Sequence, residues 1–70
     1  MEENYNKRYS ITKSLGQYRW RDNETNETLE FSQIEKIINH ATKLSIPLSE
    51  IHLSRSLSNK EQNGISERLK

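Results

Sequence analysis

The sequence predicts an α+β domain: a three-stranded antiparallel β-meander packed on one α-helix, with a possible fourth short strand or short second helix and a C-terminal tail. Three observations predict it. Three short runs near the N-terminus alternate apolar and polar residues, as half-buried strands do. Turn-forming residues separate them. One later stretch carries apolar residues at helical spacing.

The first run is "RYSIT" (8–12), with Tyr9 and Ile11 on one face. "KSLG" (13–16) is turn-like, and Gly16 is free to take positive φ. "QYRWR" (17–21) then puts Tyr18 and Trp20 on one face, and Arg19 and Arg21 on the other. A four-residue "KSLG" loop pairs Ile11 with Tyr18 and Tyr9 with Trp20, so that all four share a face. It also sets Arg21 opposite Arg8, a like-charge pair that a bound phosphate or carboxylate would relieve.

"DNETNE" (22–27) is a polar loop, followed by "TLEF" (28–31). Burial on the same face pairs Trp20 with Leu29 and Tyr18 with Phe31. On the other face Arg19 meets Glu30, an opposite-charge cross-strand pair.

"SQIE" (32–35) has the form of a capping box, with Ser32 as N-cap and Glu35 reaching back. Ile34, Ile37, Ile38, Ala41 and Leu44 follow as one stripe. Pro47 ends the helix by excluding Ile46 from the α region. "LSEIHLS" (48–54) has two readings. Ile51 and Leu53 alternate, as in a strand, while Leu48 and Ile51 have the spacing of a short helix. The strand or extended form is the one favoured here. Residues 55–70 hold only Leu57, Ile65 and Leu69 as large apolar groups and read as a tail, flexible or partly helical. The expected organisation is a polar N-terminal segment (1–7), one small domain (8–54) and the tail (55–70).

The chain has 70 residues, net charge +1 and no cysteine. Disulfides and thiolate metal sites are excluded. A domain this small is marginally stable. Residues 1–21 carry five basic and two acidic side chains; residues 22–35 carry five acids and no base; the remainder has six basic and three acidic. No N-terminal apolar run suggests a signal peptide, and no run approaches a membrane span. A soluble, cytoplasmic protein is expected. The bias toward Asn, Ser, Ile, Glu and Lys is that of an AT-rich genome, such as a low-GC bacterium or its phage.

No motif fixes a reaction. The two "NET" triplets match the N-glycosylation acceptor, but they read as a polar loop. His40 and His52 are the only histidines, too few for a metal site at ligand spacing. Asp22, the one aspartate, lies in a loop, far in sequence from either histidine. The tail lacks the turn glycine of a helix-turn-helix at workable spacing. No enzyme, metal or cofactor is expected.

Two functions from different classes remain. The first is a small non-enzymatic binding protein, a regulator, inhibitor or accessory factor of bacterial or phage origin. It would contact a protein partner through Leu57, Ile65 and Leu69 of the tail. The second is a DNA-binding module that reads through its sheet, with Arg8, Lys13, Arg19 and Arg21 as the contacts. Three strands followed by a helix over residues 8–45 resemble, in element order, the plant AP2 domain and some integrase arm-binding domains. That resemblance implies DNA contact through the sheet. A net charge of +1 and Glu30 on the same face favour the first reading.

Overall fold

A computed structural model describes residues 7–69. Of the expected N-terminal segment (1–7) only Lys7 lies inside that range, and of the expected tail only Lys70 lies outside it. The fold is α+β. Strands β1 (Tyr9–Ser14), β2 (Gln17–Asp22) and β3 (Glu27–Phe31) form the expected meander. Helix α1 (Ile34–Lys43), a 3-10 turn (Leu48–Glu50), strand β4 (Ile51–Leu53) and helix α2 (Asn59–Leu69) follow. The sheet order is β3-β2-β1-β4, with β4 parallel to β1.

The β2–β3 register is the expected one: Tyr18 faces Phe31, Arg19 faces Glu30 and Trp20 faces Leu29. The β1–β2 register is not. Ile11 pairs with Trp20 and Tyr9 with Asp22, two residues away from the burial-based pairing. The loop is the two residues Leu15 and Gly16, at φ 53° and 77°. Two successive left-handed residues give the hairpin turn whose twist matches that of the strands. Each strand therefore continues to the tip. A shift of two keeps every side chain on its face, so burial could not distinguish the registers. It also removes the expected Arg8–Arg21 opposition, since Arg21 pairs with Ser10.

Helix α1 starts one residue later than the capping box implies. Its N-cap is Gln33, in extended conformation and without a side-chain cap bond, so Ser32 does not cap it. It also ends before Pro47 acts. Ser45 takes φ 59°, the Ser45 N–H donates to the Thr42 carbonyl, and the Ile46 N–H donates to the Ala41 carbonyl. This is a Schellman stop, which satisfies two carbonyls that the helix leaves open.

Residues 48–54 combine both readings, a single 3-10 turn and then a three-residue strand. Of the two readings of residues 55–70 the partly helical one holds, but the segment packs into the domain and is not a tail beside it. Residues 59–69 are helix α2, Leu57 and Ile65 are 3 % and 0 % exposed, and Leu69 packs against the core. The core is Ile11, Trp20, Ile37, Ile38, Ala41, Ile51, Leu57 and Ile65. Both helices cover the Ile11/Trp20 face of the sheet and leave the opposite face open.

Helix α2 succeeds with few apolar residues because its N-terminus is tied by polar groups. Ser58 and Glu61 form a reciprocal capping box: the Ser58 N–H donates to Glu61 Oε1 (2.8 Å), and the Glu61 N–H donates to Ser58 Oγ (3.1 Å). Two orphan donors are satisfied at once. No described helix is long and apolar enough to cross a membrane.

Candidate interaction surface

The four cationic candidates are not brought together. Arg8 reaches the 22–26 loop, where its guanidinium meets Asp22 Oδ2 (3.2 Å) and Glu24 Oε1 (3.4 Å). The bond from Arg8 holds the Asp22 carboxyl below the ordinary carboxylate range. Lys13 lies on the helix side of the sheet, with its Nζ 3.1 Å from Glu61 Oε2. Only Arg19 and Arg21 share the open face. Arg19 pairs with Glu30 at 3.0 Å, and Arg21 donates to Asn26 Oδ1 at 2.7 Å. The tail candidates Leu57 and Ile65 are core residues and present no surface.

Lys13, Tyr18 and Glu61 form a polar cluster that joins the hairpin to α2. Glu61 Oε2 accepts from both the Tyr18 hydroxyl and the Lys13 ammonium. The Tyr18 bond, the Ser58 N–H and Lys13 together lower the Glu61 pKa to about 2, against the partial burial that would raise it. The same bond raises the Tyr18 pKa, because ionised phenolate would face carboxylate. A carboxylate held ionised by three donors is an anchor and a poor proton acceptor at neutral pH. Among the described residues no cluster of three or more His, Asp or Glu side chains is placed to hold a metal ion.

The surface with unmet demand is the β3 edge. Hydrogen-bonding alternation along the sheet identifies its free backbone groups. The Ser54 N–H donates to the Ile11 carbonyl (3.0 Å) and the Lys13 N–H to Ser56 Oγ (2.9 Å), so the odd residues of β1 face β4. The even residues of β1 then bond Gln17, Arg19 and Arg21. Tyr18, Trp20 and Asp22 bond β3 through Phe31, Leu29 and Glu27. Thr28 and Glu30 are left with N–H and C=O directed outward. The other edge, β4, is only three residues long.

Apolar groups crowd this edge on the helix side. Leu29 is 45 % exposed and Leu44, at the end of α1, is 53 % exposed. Both line a cleft of about 210 Å³ whose other walls are Tyr9, Trp20, Asp22, Glu27 and His40. The His40 ring stands edge-on to Trp20, with centroids 5.1 Å apart, and 5.7 Å from Phe31. Burial, with Lys43 nearby, lowers the His40 pKa and so favours the neutral ring in this wall of the cleft. Sequence reasoning counted Leu29 and Leu44 as core, and nothing in hydropathy marks them otherwise.

A second cleft, of about 360 Å³, lies between α1 and α2. Ile34, Ile38 and Tyr18 contribute apolar walls, Gly64 opens one side, and Lys60, Glu67 and the Arg68–Glu35 pair (3.1 Å) border it. Comparison with protein families, with characterised proteins and with solved structures found no match.

Proposed function

We propose that this domain is a non-enzymatic protein-binding module, a regulator or accessory factor of bacterial or phage origin. Its contact surface is the β3 edge and the Leu29/Leu44 cleft beside it. One observation carries the reading: the outward N–H and C=O groups of Thr28 and Glu30 stand next to two exposed leucines on the same element and its neighbour. Backbone groups of that kind are satisfied by an added strand, and the alternate side chains of that strand would enter the cleft. Leu15 adds to this reading. It is 98 % exposed at the hairpin tip and holds φ 53°, a strained place for a large apolar residue with no role in the core.

The second reading is DNA binding through the open face. Arg19 and Arg21 favour it, since they alternate on the central strand β2 beside Thr12 and Thr28. Against it, both arginines already have partners, Glu30 lies among them, and Arg8 and Lys13 are elsewhere.

Two measurements separate the readings. Retention on heparin or random duplex DNA that falls steeply with salt supports the second reading. Capture of a protein from native lysate that is lost in Thr28→Pro and Leu29→Lys, and kept in Arg19→Ala, supports the first. Thr28→Pro removes one outward donor and no bond to β2, a substitution that edge strands tolerate. Capture that is indifferent to both edge variants would remove the edge from the proposal.

A further inference from the structure

We infer that the strand which completes the β3 edge is β3 of a second copy of this chain, joined antiparallel about a two-fold axis at Leu29. The inference rests on the reading of that edge as a protein-binding surface and names its occupant.

Only certain registers are open to a symmetric pair. With both helical layers on the same side, residues that share a face must oppose each other, so the axis passes through a residue and not between two. The outward groups of each strand belong to Thr28 and Glu30, so these must supply the hydrogen bonds. An axis at Leu29 meets both conditions over the whole of "ETLEF". Thr28 of one copy pairs with Glu30 of the other, and Glu30 with Thr28, as two hydrogen-bonded pairs. Leu29 then faces Leu29 in the non-hydrogen-bonded position, where Cα atoms lie about 4.5 Å apart and side chains are closest.

Charge selects the same register. About Leu29, Glu27 lies opposite Phe31 and Glu30 opposite Thr28, so no like charges oppose each other. An axis at Glu30 would set Glu30 against Glu30, which is unfavourable. An axis at Thr28 would set Glu27 against Leu29 and give the leucines no apolar partner. Within its own copy, Arg19 already balances Glu30. A net charge of +1 puts little repulsion between copies.

The edge is lightly guarded. Strands at sheet edges are commonly protected by charged side chains, proline or a bulge. Glu27–Phe31 contains no proline, pairs with β2 at every residue without a bulge, and carries an exposed leucine at its centre; of its two charges, Glu30 is balanced by Arg19 and Glu27 lies at the end of the strand. Pairing would join two four-stranded sheets into one of eight and cover Leu29 of both copies.

Mass in solution tests the inference directly. Sedimentation equilibrium across a micromolar to millimolar series should show the 8.3 kDa chain doubling in mass as concentration rises. Leu29→Lys should weaken that association by about 100-fold, from two lost leucine contacts and a new like-charge pair. Thr28→Pro should weaken it as well. The chain has no cysteine, so a single introduced one reports the register. Leu29→Cys should form a disulfide-linked dimer under mild oxidation, because its Cα separation at the axis is within the disulfide range. Glu27→Cys, which faces Phe31, should not. Circular dichroism and melting of each variant establish that it folds.

A mass of 8.3 kDa throughout the series overturns the inference. If the edge variants then still abolish capture of another protein, the edge reading stands and its partner is heterologous. A dimer that survives both Leu29→Lys and Thr28→Pro, or links through Glu27→Cys in place of Leu29→Cys, also overturns the inference.

Discussion

Replacing Glu61 with glutamine isolates what its charge contributes. Glutamine can still accept the Ser58 N–H, because the capping box works with either residue. It cannot present an anionic oxygen to the Tyr18 hydroxyl and Lys13, which now meet on Oε2. The Glu61 pKa falls from an ordinary 4.5 to about 2 on folding. At about 1.36 kcal/mol per unit, that shift sets a ceiling of roughly 3 kcal/mol on the linked stability. The Glu61 side chain is 17 % exposed and Lys13 37 %, so solvent screens part of it. The expected loss at pH 7 is about 1.5–2.5 kcal/mol. The sign follows from linkage. A depressed carboxylate pKa stabilises the fold above the unfolded value and loses that effect as pH falls through the folded value. The gap between the parent and Glu61→Gln should therefore be full above pH 4.5, shrink between 4.5 and about 2, and close below. Urea titrations followed by Trp20 fluorescence at a series of pH values measure it. A gap that is equally large at pH 2 and pH 7 would refute the charge argument, and no gap at pH 7 would refute the cluster itself.

Leu15→Asn should raise stability by about 1 kcal/mol, since asparagine accepts the left-handed conformation and Asn-Gly suits this turn; a lower melting temperature would mean that Leu15 packs on something. Gly64→Ala should also stabilise, by about 0.5–1 kcal/mol, because an added Cβ meets nothing within 4 Å. Thermal unfolding checks both. Ser58→Ala should cost about 0.5–2 kcal/mol, and Ser32→Ala no more than a few tenths; equal costs would contradict the observed caps. Truncation after Ser54 should abolish cooperative unfolding, because it removes Leu57 and Ile65 from the core. A truncated chain that keeps its circular dichroism and melting temperature would restore the tail reading.

The strands and α1 were legible because periodicity reports burial, and burial is what holds them. Trp20, Tyr18, Leu29 and Phe31 fixed the β2–β3 register, since the cross-strand Arg19–Glu30 pair agreed with the apolar face. The β1–β2 register escaped for a physical reason. Two solutions two residues apart bury the same face, and the choice between them lies in the backbone of Leu15, which propensity would not place at positive φ. The two S-x-x-E motifs show the same limit. "SQIE" precedes the apolar stripe and does not cap, whereas "SNKE" precedes a polar helix and does. Helix α2 was illegible because a polar anchor at Glu61 replaces the apolar stripe that hydropathy detects. Arg8 and Arg21 were visible as residues, but their partners were not, because Asp22, Glu24 and Asn26 meet them only through the loop between β2 and β3. The edge surface was missed because an apolar residue in a strand or helix pattern is assigned to the core by default.

That default is what the structure makes informative at Leu29 and Leu44. The apolar stripe of α1 begins inside the core at Ile37, Ile38 and Ala41 and runs on to Leu44, which is 53 % exposed. The apolar face of the sheet likewise runs from Ile11 through Trp20 to Leu29, which is 45 % exposed. Both progressions leave the protein at the same place, the β3 side of the sheet, and the cleft lies between them. A single exposed leucine needs no explanation. Two that continue the core in register from separate elements, beside a strand with outward-facing backbone groups, amount to a core that the described residues do not close by themselves. Adding one strand there would extend the sheet and cover the Leu29 row together, as a single cooperative step. The Leu29 variants therefore test the proposed surface more directly than substitutions of Arg8 or Arg19, since those two arginines are already paired with acids within the chain.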